Sequence, residues 1–219
     1  MPSKDIEQIL KNAEYDLKFL LNRNYRKRVA LNLVANKYLL DRYGRNFLVR
    51  KVYSNKIAHN RRVKIEDIYN IKNKIIIIDG YNVLITSESI YNEEYGSVIM
   101  CDDGVLRDNN AVFGKYKNSL SSKKALISII TLLKNYNPDF IYFIYDSPVS
   151  KSGELAKMTE SLIKIHGMDG SAVINKNVDF ELVKLSKEWE GIVATSDGAV
   201  MDRVKHILDI PYWICDILK

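Results

Sequence analysis

Three aspartates stand at the ends of apolar runs that have the pattern of buried strands. Asp79 closes IIIID, Asp146 closes FIYFIYD and Asp197 closes GIVATSD. In an open parallel sheet the ligand crevice lies beyond the carboxyl ends of the strands. One such aspartate is explained equally well as a turn residue or a helix N-cap. Three of them predict a shared acidic site at one edge of a sheet.

Further carboxylates follow these runs along the chain: Asp179 in VDFELVK, Asp202 five residues after Asp197, and Asp102, Asp103 and Asp108 in CDDGVLRD. Crowded carboxylates repel one another unless a proton or a cation relieves them. Oxygen ligands suit Mg²⁺ or Mn²⁺, whereas a structural zinc ion prefers Cys or His. The predicted cofactor is therefore Mg²⁺ or Mn²⁺, with Asp79, Asp146, Asp197, Asp103 and Asp202 as the candidate ligands.

Clustered aspartates with a divalent ion are typical of phosphoryl transfer, in which the metal activates water and neutralises developing charge. The chain has no GxxxxGK[ST] loop and no GxGxxG turn, which excludes the common nucleotide-binding signatures. It also lacks the GxSxG elbow of serine hydrolases. The clustered aspartates, together with the absence of these other motifs, thus favour phosphoryl transfer such as hydrolysis of a phosphate ester.

These residues must be positioned by an alternation of short apolar runs and helix-like segments that begins near Lys74. The predicted strands are 75–79, 140–146, 171–175, 191–197 and 212–215, and the predicted helices are 122–136, 152–166, 178–189 and 198–208. Continuous apolar strands separated by helices indicate a parallel sheet covered on both faces. We expect a three-layer α/β/α domain over residues 71–219.

The N-terminal part, residues 1–70, is predicted to be a small basic helical domain. One helix is expected over Lys4–Leu21 and a second from Tyr25 to about Arg42, with Gly44 as a stop signal. In the second helix the predicted inward residues are Val29, Ala30, Leu33, Val34 and Tyr38. The stretch 47–54 is compatible with a strand or a helical turn.

The charge is unevenly distributed along the chain. Residues 1–70 hold 16 Lys/Arg and 7 Asp/Glu, whereas residues 71–219 hold 17 and 20. A basic N-terminal part indicates an anionic partner, although a solvated basic helix surface explains the same count. The candidate contacts to a nucleic-acid backbone are Arg23, Tyr25, Arg26, Lys27, Arg28, Arg45, Arg50, Arg61 and Arg62, with Tyr25 able to stack on an unpaired base.

No apolar run reaches the ~18 residues of a membrane span, and the N-terminus lacks the apolar middle of a signal peptide. Only two cysteines occur, Cys101 and Cys215, so we expect a cytoplasmic protein without a membrane partner. The 14 tyrosines fit a homodimer surface as well as base stacking, and the sequence does not decide between them.

Several motifs resemble known families. IIIIDGYNVLI, FIYDSPVSKSG and VATSDGAVMD together resemble the PIN/NYN-like nuclease superfamily. DGYNVLI, DDGVLRD, DSPVSKSG and TSDGAVMD resemble, more narrowly, a family known only as a domain of unknown function with a short helical N-terminal part. The first resemblance implies a PIN-like fold and a nuclease that cuts RNA at an acidic, metal-binding pocket. It also implies catalytic roles for Asp79, Asn82, Asp146, Asp179 and Asp197.

The chain departs from that superfamily in two places. An acid expected on a helix soon after the first strand is replaced by an insertion, residues 87–116, in which Asp103 and Asp108 are the candidates. The final motif usually places two acids close together, whereas Asp202 lies one and a half helical turns beyond Asp197.

Neighbouring residues have predicted supporting roles. Asn82 is expected to orient a water or a phosphate, and Gly80 to allow a tight turn beside the ion. The hydroxyls of Ser147, Ser150 and Ser152, with the charge of Lys151, are candidates for binding phosphate oxygens. An ordinary turn followed by a helix N-cap at Ser152 explains the same motif.

The expected function is a metal-dependent endoribonuclease acting on RNA, with tRNA or another structured RNA as the candidate substrate. The alternatives are a catalytically silent RNA-binding or adaptor protein on the same fold and a magnesium-dependent phosphatase of a small molecule. The phosphatase would leave the basic N-terminal part without a role.

Overall fold

The computed structural model describes residues 4–91, 97–109 and 119–217. In chain order the elements are α1 (Lys4–Asn22), α2 (Lys27–Lys37), α3 (Arg42–Lys51), α4 (Asn55–Arg62), a 3-10 turn (Ile68–Ile71), β1 (Ile75–Asp79), α5 (Gly80–Tyr91), β2 (Val98–Met100), β3 (Leu106–Asp108), α6 (Leu120–Asn135), β4 (Phe140–Asp146), α7 (Ser152–Ile165), β5 (Gly170–Asn175), α8 (Val178–Glu188), β6 (Ile192–Ala194), α9 (Gly198–Met201), β7 (Ile207–Leu208) and α10 (Ile210–Ile217). None of these helices is long and apolar enough to span a bilayer.

The chain forms two compact units that divide the sequence differently from the expected boundary at residue 70. The N-terminal unit comprises Met1–Val63 together with Glu94–Ala111, and the C-terminal unit comprises Lys64–Glu93 together with Val112–Lys219. A segment from the middle of the sequence therefore belongs to the N-terminal unit.

The N-terminal unit is built on helices α1 to α4. Ala13 and Leu17 of α1 pack with Ala30 and Val34 of α2 and with Leu48 of α3. The predicted inward face of α2 is only half right, because Val29 and Leu33 are 58% and 59% exposed.

Gly44 lies within α3 and does not end α2, which stops at Lys37. Helix α3 begins after Asp41, whose carboxylate accepts a hydrogen bond from the Gly44 main-chain nitrogen at 2.8 Å. The stretch 47–54, which the pattern left open, is helical as far as Lys51.

The middle segment forms an antiparallel hairpin of β2 and β3, turned by Gly104 at φ 88°. Glycine suits this left-handed conformation because it has no Cβ. Two hydrogen bonds donated by main-chain nitrogens attach the hairpin to the helical segment: Asp102 N donates to Lys51 O at 2.9 Å, and Tyr53 N donates to an Asp102 carboxylate oxygen at 3.1 Å. Of the predicted insertion 87–116, residues 92–96 and 110–116 lie outside the described residues.

The C-terminal unit contains a five-stranded parallel sheet in the order β5-β4-β1-β6-β7, flanked by helices. Strand β1 is central and all but its first residue are buried. Ile76 and Ile78 face a core formed with α5, α6, α7 and α10, whereas Ile77 points to the opposite face, as alternation along a strand requires. The predicted three-layer α/β/α architecture is confirmed.

Two predicted elements are wrong near the C-terminus. Residues 212–215, expected as a strand, lie in α10, because Pro211 suits a first helical turn and Asp209 accepts a hydrogen bond from Tyr212 N at 3.1 Å. The predicted helix 198–208 is a single turn, α9, followed by the short edge strand β7.

Candidate acidic site at the strand ends

Asp79 ends the central strand and is 7% exposed. Its Oδ2 accepts a hydrogen bond from Thr195 Oγ1 at 2.9 Å, and its Oδ1 accepts one from Asn82 N at 3.4 Å. Strand β6 is the neighbour of β1, so the loop that follows β6 brings Thr195 beside Asp79. Two donors thus hold a buried carboxyl in one orientation.

The pKa of Asp79 is raised from 3.8 to about 7. Burial is the largest cause, and the charges of Asp197 and Asp146 add to it, whereas the hydrogen bonds from Thr195 and Asn82 oppose it. Asp79 therefore titrates near neutral pH, and a cation beside it would favour the carboxylate.

Asp146, at the end of β4, and Asp179, in the first turn of α8, extend this acidic group. Burial and the charge of Asp179 raise the pKa of Asp146. Burial and the charge of Asp197 also raise the pKa of Asp179, against the opposing effect of Arg203. Each of Asp79 and Asp179 is thus coupled to both Asp146 and Asp197. We call these four residues the acidic site.

Asp197 and Asn82 organise the loop between β6 and α9. Asp197 is the N-cap of α9, and its Oδ1 accepts hydrogen bonds from Ala199 N at 2.8 Å and Val200 N at 3.1 Å. Asn82 Oδ1 accepts from both Ser196 N at 2.8 Å and Ser196 Oγ at 2.9 Å. The side-chain oxygen of Asn82 therefore anchors this loop. The role of Asn82 in orienting a water or a phosphate stays a prediction.

A cavity of about 470 Å³ opens beside Asp146 and Asp179. Its lining also includes Lys176, Asn177, Phe180 and Arg203. Sequence reasoning missed Phe180, Lys176 and Arg203, because their only signal is proximity in sequence to Asp179 or Asp197. The cavity gives the acidic site an open approach with two cations at its border.

The acidic site suits a hydrated metal ion better than an ion held directly by many protein ligands. Within residues 4–91, 97–109 and 119–217, no three Asp, Glu, His or Cys side chains are arranged to hold one ion together. Direct ligation of one ion by three or more of the predicted aspartates is therefore not seen among these residues, whereas ligation through water stays a prediction. Mg²⁺ commonly uses one or two carboxylates and keeps several waters. Asp146 and Asp179 line the cavity, and the charge of Asp179 adds to burial in raising the pKa of Asp146, so the two carboxylates fit a hydrated ion of that kind.

Comparison with known proteins places the sequence in a family. Residues 68–213 match the domain of unknown function DUF5616, and residues 9–64 match the protein of unknown function DUF434. The chain belongs to the DUF5616 family. The uncharacterized protein MJ0935 of Methanocaldococcus jannaschii is 37% identical to this DUF5616 protein over 212 residues, which is 96% of this chain and 98% of the relative. No solved structure matches the sequence of this chain.

These matches confirm the narrower resemblance, to a family known as a domain of unknown function with a helical N-terminal part. They do not name a nuclease superfamily. The two matched regions meet between residues 64 and 68, close to the first boundary between the compact units.

Two predicted metal ligands of this DUF5616 protein lie elsewhere. Asp103 is fully buried in the N-terminal unit, where it accepts hydrogen bonds from Arg61 and Arg107, so guanidinium groups occupy the place predicted for an ion. Asp202 is exposed at the end of α9, where its main-chain oxygen accepts a hydrogen bond from Lys64 Nζ at 3.2 Å.

The predicted phosphate-binding loop after β4 has a mainly structural arrangement. Ser152 is buried as the first residue of α7, and Lys151, in a left-handed conformation at φ 66°, is the N-cap without a side-chain capping bond. Lys151 Nζ lies 3.6 Å from a Glu154 carboxylate oxygen. Ser147 N donates to Asn175 O, and Ser150 is exposed.

The predicted nucleic-acid contacts divide into exposed and engaged side chains. Arg45 bonds to Leu40 O and Asn36 Oδ1, Arg50 bonds to Asp108 O, and Arg61 pairs with Asp103. Lys27 is half-buried, with its ammonium 3.6 Å from the centre of the Tyr53 ring. The exposed members are Arg23, Tyr25, Arg26, Arg28 and Arg62.

Gly80, the first residue of α5, is required for a reason other than the predicted tight turn. A Cβ at this position would lie 2.4 Å from the ring of the buried Tyr145 and 2.9 Å from Ile144 O. We expect Gly80→Ala to lower the free energy of unfolding of the C-terminal unit by about 1–3 kcal/mol, since the packed ring must shift. Both tryptophans, Trp189 and Trp213, lie in this unit, so urea unfolding followed by tryptophan fluorescence measures it.

Gly153→Ala is the matched control, because a Cβ there meets nothing within 4 Å. Gly153 lies in α7, so alanine should leave stability unchanged or raise it by up to about 1 kcal/mol. Equal effects of the two substitutions would contradict the steric explanation.

Proposed function

We propose that this protein is a metal-dependent ribonuclease that hydrolyses phosphodiester bonds of RNA at the acidic site. The observation that carries the proposal is the proximity of Asp79, Asp146, Asp179 and Asp197: burial raises the pKa of the first three, and the charges of neighbouring members of the group raise it further. These acids come from four different segments and meet where parallel strands end, the position of ligand sites in such sheets. The order of the motifs along the chain, which resembles the PIN/NYN-like superfamily, supports the same reaction.

Mg²⁺ or Mn²⁺, when bound, would supply charge neutralisation and an activated water for in-line hydrolysis. Asp146 and Asp179 would hold the hydrated ion from the cavity wall. Thr195 would keep the Asp79 carboxylate oriented through its 2.9 Å hydrogen bond, and Asn82 would keep the Thr195–Asp197 loop in place through Ser196. Arg203 would contact a phosphate at the border of the cavity.

The N-terminal unit would bind the RNA backbone. Its exposed cations Arg23, Arg26, Arg28 and Arg62 are available for phosphates, and Tyr25, 52% exposed, is available for stacking. Arg45, Arg50 and Arg61 are left out of this proposal, because they already bond within the unit.

Two observations favour the second candidate, an RNA-binding protein without catalysis. Asp197 already serves as the N-cap of α9, and no described trio of acidic, His or Cys side chains is arranged around one ion. Binding of RNA without metal-dependent cleavage would support this alternative.

We expect the wild-type protein to cleave labelled RNA with Mn²⁺ and to lose cleavage with a chelator. Asp146→Asn should lower the cleavage rate by at least about a hundredfold, since it removes a carboxylate from the proposed ion site. The assay should include structured and unstructured RNA, because the site geometry does not select between them.

Asp139→Asn is the matched control, since Asp139 is exposed just before β4, at the end of the strand opposite Asp146. It should cleave like the wild type. Cleavage that survives both the chelator and Asp146→Asn would refute the proposal.

A further inference from the structure

The side chain of Phe180 is 60% exposed in the first turn of α8 and lines the cavity beside the acidic site. An aromatic ring in water gains nothing from exposure at this position, whereas it offers a flat apolar face to a ligand. Stacking of a nucleobase on an aromatic side chain is a common use of such a ring. Phe180 lines the same cavity as Asp146 and Asp179, so a base on its face would bring the attached phosphate towards the acidic site.

Two cations line the same cavity. Lys176 precedes α8, and Arg203 follows α9, so they reach the cavity from different segments of the C-terminal unit. Within the described part of the chain, neither Lys176 nor Arg203 forms an ion pair, although Arg203 lies near enough to Asp179 to oppose the increase of its pKa. Lysine and arginine in this setting are suited to phosphate oxygens.

The volume of this cavity is about 470 Å³, which falls within the range of roughly 300–1,000 Å³ typical of pockets that bind small ligands. The lining combines two acids, two cations and an aromatic ring. This set of groups suits a nucleotide within a strand, which has a base and a phosphate on either side of its sugar. A base within a duplex is already stacked and paired, so only an unpaired nucleotide presents a free face to Phe180.

We propose that this cavity is a subsite for one unpaired nucleotide of an RNA strand, with the base stacked on Phe180 and the flanking phosphate held by Lys176 and Arg203. The identity of the ligand rests on the proposed function. The subsite itself rests on the cavity, the exposed ring and the two cations. It predicts that strand recognition depends on stacking and is tolerant of base sequence.

The test is equilibrium binding of a labelled unstructured RNA oligonucleotide and of its duplex to the full chain, measured by fluorescence anisotropy with a chelator present. Phe180→Ala should weaken single-strand binding about tenfold or more and leave duplex binding unchanged. Phe180→Trp should restore single-strand binding, because indole stacks at least as well as phenyl. Ile165→Ala is the control: Ile165 is 76% exposed and outside the cavity lining.

The cations are tested by salt dependence. Lys176→Gln and Arg203→Gln should each reduce the slope of log affinity against log salt by about 0.7, the value for one phosphate contact of a single strand. Lys187→Gln, in the last turn of α8, should leave the slope unchanged.

Equal single-strand binding by the wild type and Phe180→Ala, or failure of tryptophan to restore it, would overturn the subsite. Undetectable RNA binding by the wild type would overturn it as well. The subsite and the proposed function can fail separately. The subsite is tested by binding without metal, whereas the ribonuclease is tested by metal-dependent cleavage and by the effect of Asp146→Asn. Phe180-dependent binding without cleavage would retain the subsite and reject the ribonuclease.

Discussion

Asp103→Ala is expected to lower the free energy of unfolding of the N-terminal unit by about 3–5 kcal/mol. Asp103 is 0% exposed, and Arg61 and Arg107, each 5% exposed, donate to its two oxygens at 2.7–2.8 Å. Alanine would leave two buried guanidinium groups without this carboxylate. The cost is then the burial of uncompensated positive charge, which exceeds the loss of a hydrogen bond.

The surrounding charges increase this effect. Both guanidinium carbons lie over the Tyr53 ring, at 4.6 Å for Arg61 and 5.2 Å for Arg107, with the Lys27 ammonium at 3.6 Å. Burial and the charges of Arg107 and Arg61 lower the pKa of Lys27 to about 8. The charge of Asp103 opposes that change, so removal of Asp103 makes the cluster more strongly positive.

Circular dichroism with urea, followed alongside tryptophan fluorescence, separates the two units, because both tryptophans are in the C-terminal unit. In Asp103→Ala the loss of helical signal from the N-terminal unit should shift to lower urea, while the tryptophan transition stays in place. Asp16→Asn is the control, since its 2.6 Å pair with Lys37 is exposed and such pairs contribute about 0–1 kcal/mol. Similar effects of Asp103→Ala and Asp16→Asn would contradict the account of the buried network.

Asp79→Asn is expected to stabilise the metal-free C-terminal unit at about pH 8 by roughly 2–3 kcal/mol. The pKa of Asp79 is about 7 in the folded protein against 3.8 as the ordinary value, chiefly because of burial. The folded state therefore holds its proton more tightly than the unfolded state. The associated stability is fully present below about pH 4, is lost as the pH rises to about 7, and amounts to about 4 kcal/mol.

Asparagine removes this loss because it carries no charge to bury. It offers a single acceptor oxygen to Thr195 Oγ1 and Asn82 N, so one donor loses its partner at a cost of about 1 kcal/mol, which gives the smaller net gain. Urea unfolding by tryptophan fluorescence, with a chelator, should show wild-type stability falling between about pH 4 and pH 7 and a flatter profile for Asp79→Asn.

The same variant tests the cation. Mn²⁺ should raise the melting temperature of the wild-type C-terminal unit, because a ligand that binds only the folded state stabilises it, and Asp79→Asn should reduce that response. Asp139→Asn, exposed at the far end of β4, should keep both the pH profile and the metal response. A flat wild-type pH profile would show that Asp79 does not bury its charge.

Strands β1 and β4 and the aspartates that end them, Asp79 and Asp146, were predictable, because these strands are mostly buried and therefore have continuous apolar sequences. Asp197 was expected to end a strand as well, but it lies beyond β6 as the N-cap of α9. Residues 212–215 were misassigned because YWIC has the aromatic and β-branched composition of a strand, whereas Pro211 and Asp209 start a helix there. The inward face of α2 was only partly predicted, because α2 has more apolar side chains than its buried face accommodates. The packing of α2 against the other helices determines which of them are buried.

The site itself was predictable only in part. The strand ends fix Asp79, Asp146 and Asp197 at one edge, but the partner of Asp79 is Thr195, 116 residues away, and its donor role depends on the loop geometry. The predicted ligand Asp103 failed because spacing in sequence does not reveal that the hairpin packs with the N-terminal helices. Phe180, Lys176 and Arg203 carry no motif and become a group only through the fold.

The hairpin of β2 and β3 has a consequence for how the gene can be divided. Arg61 and its counter-charge Asp103 fall in two different family matches, residues 9–64 and 68–213. A fragment that ends at residue 63 would contain Arg61 but not Asp103. A fragment that begins at residue 64 would contain the hairpin without the helices against which it packs. The helical module is therefore not excisable by a single cut, and recombination that exchanged either half would have to preserve this pair.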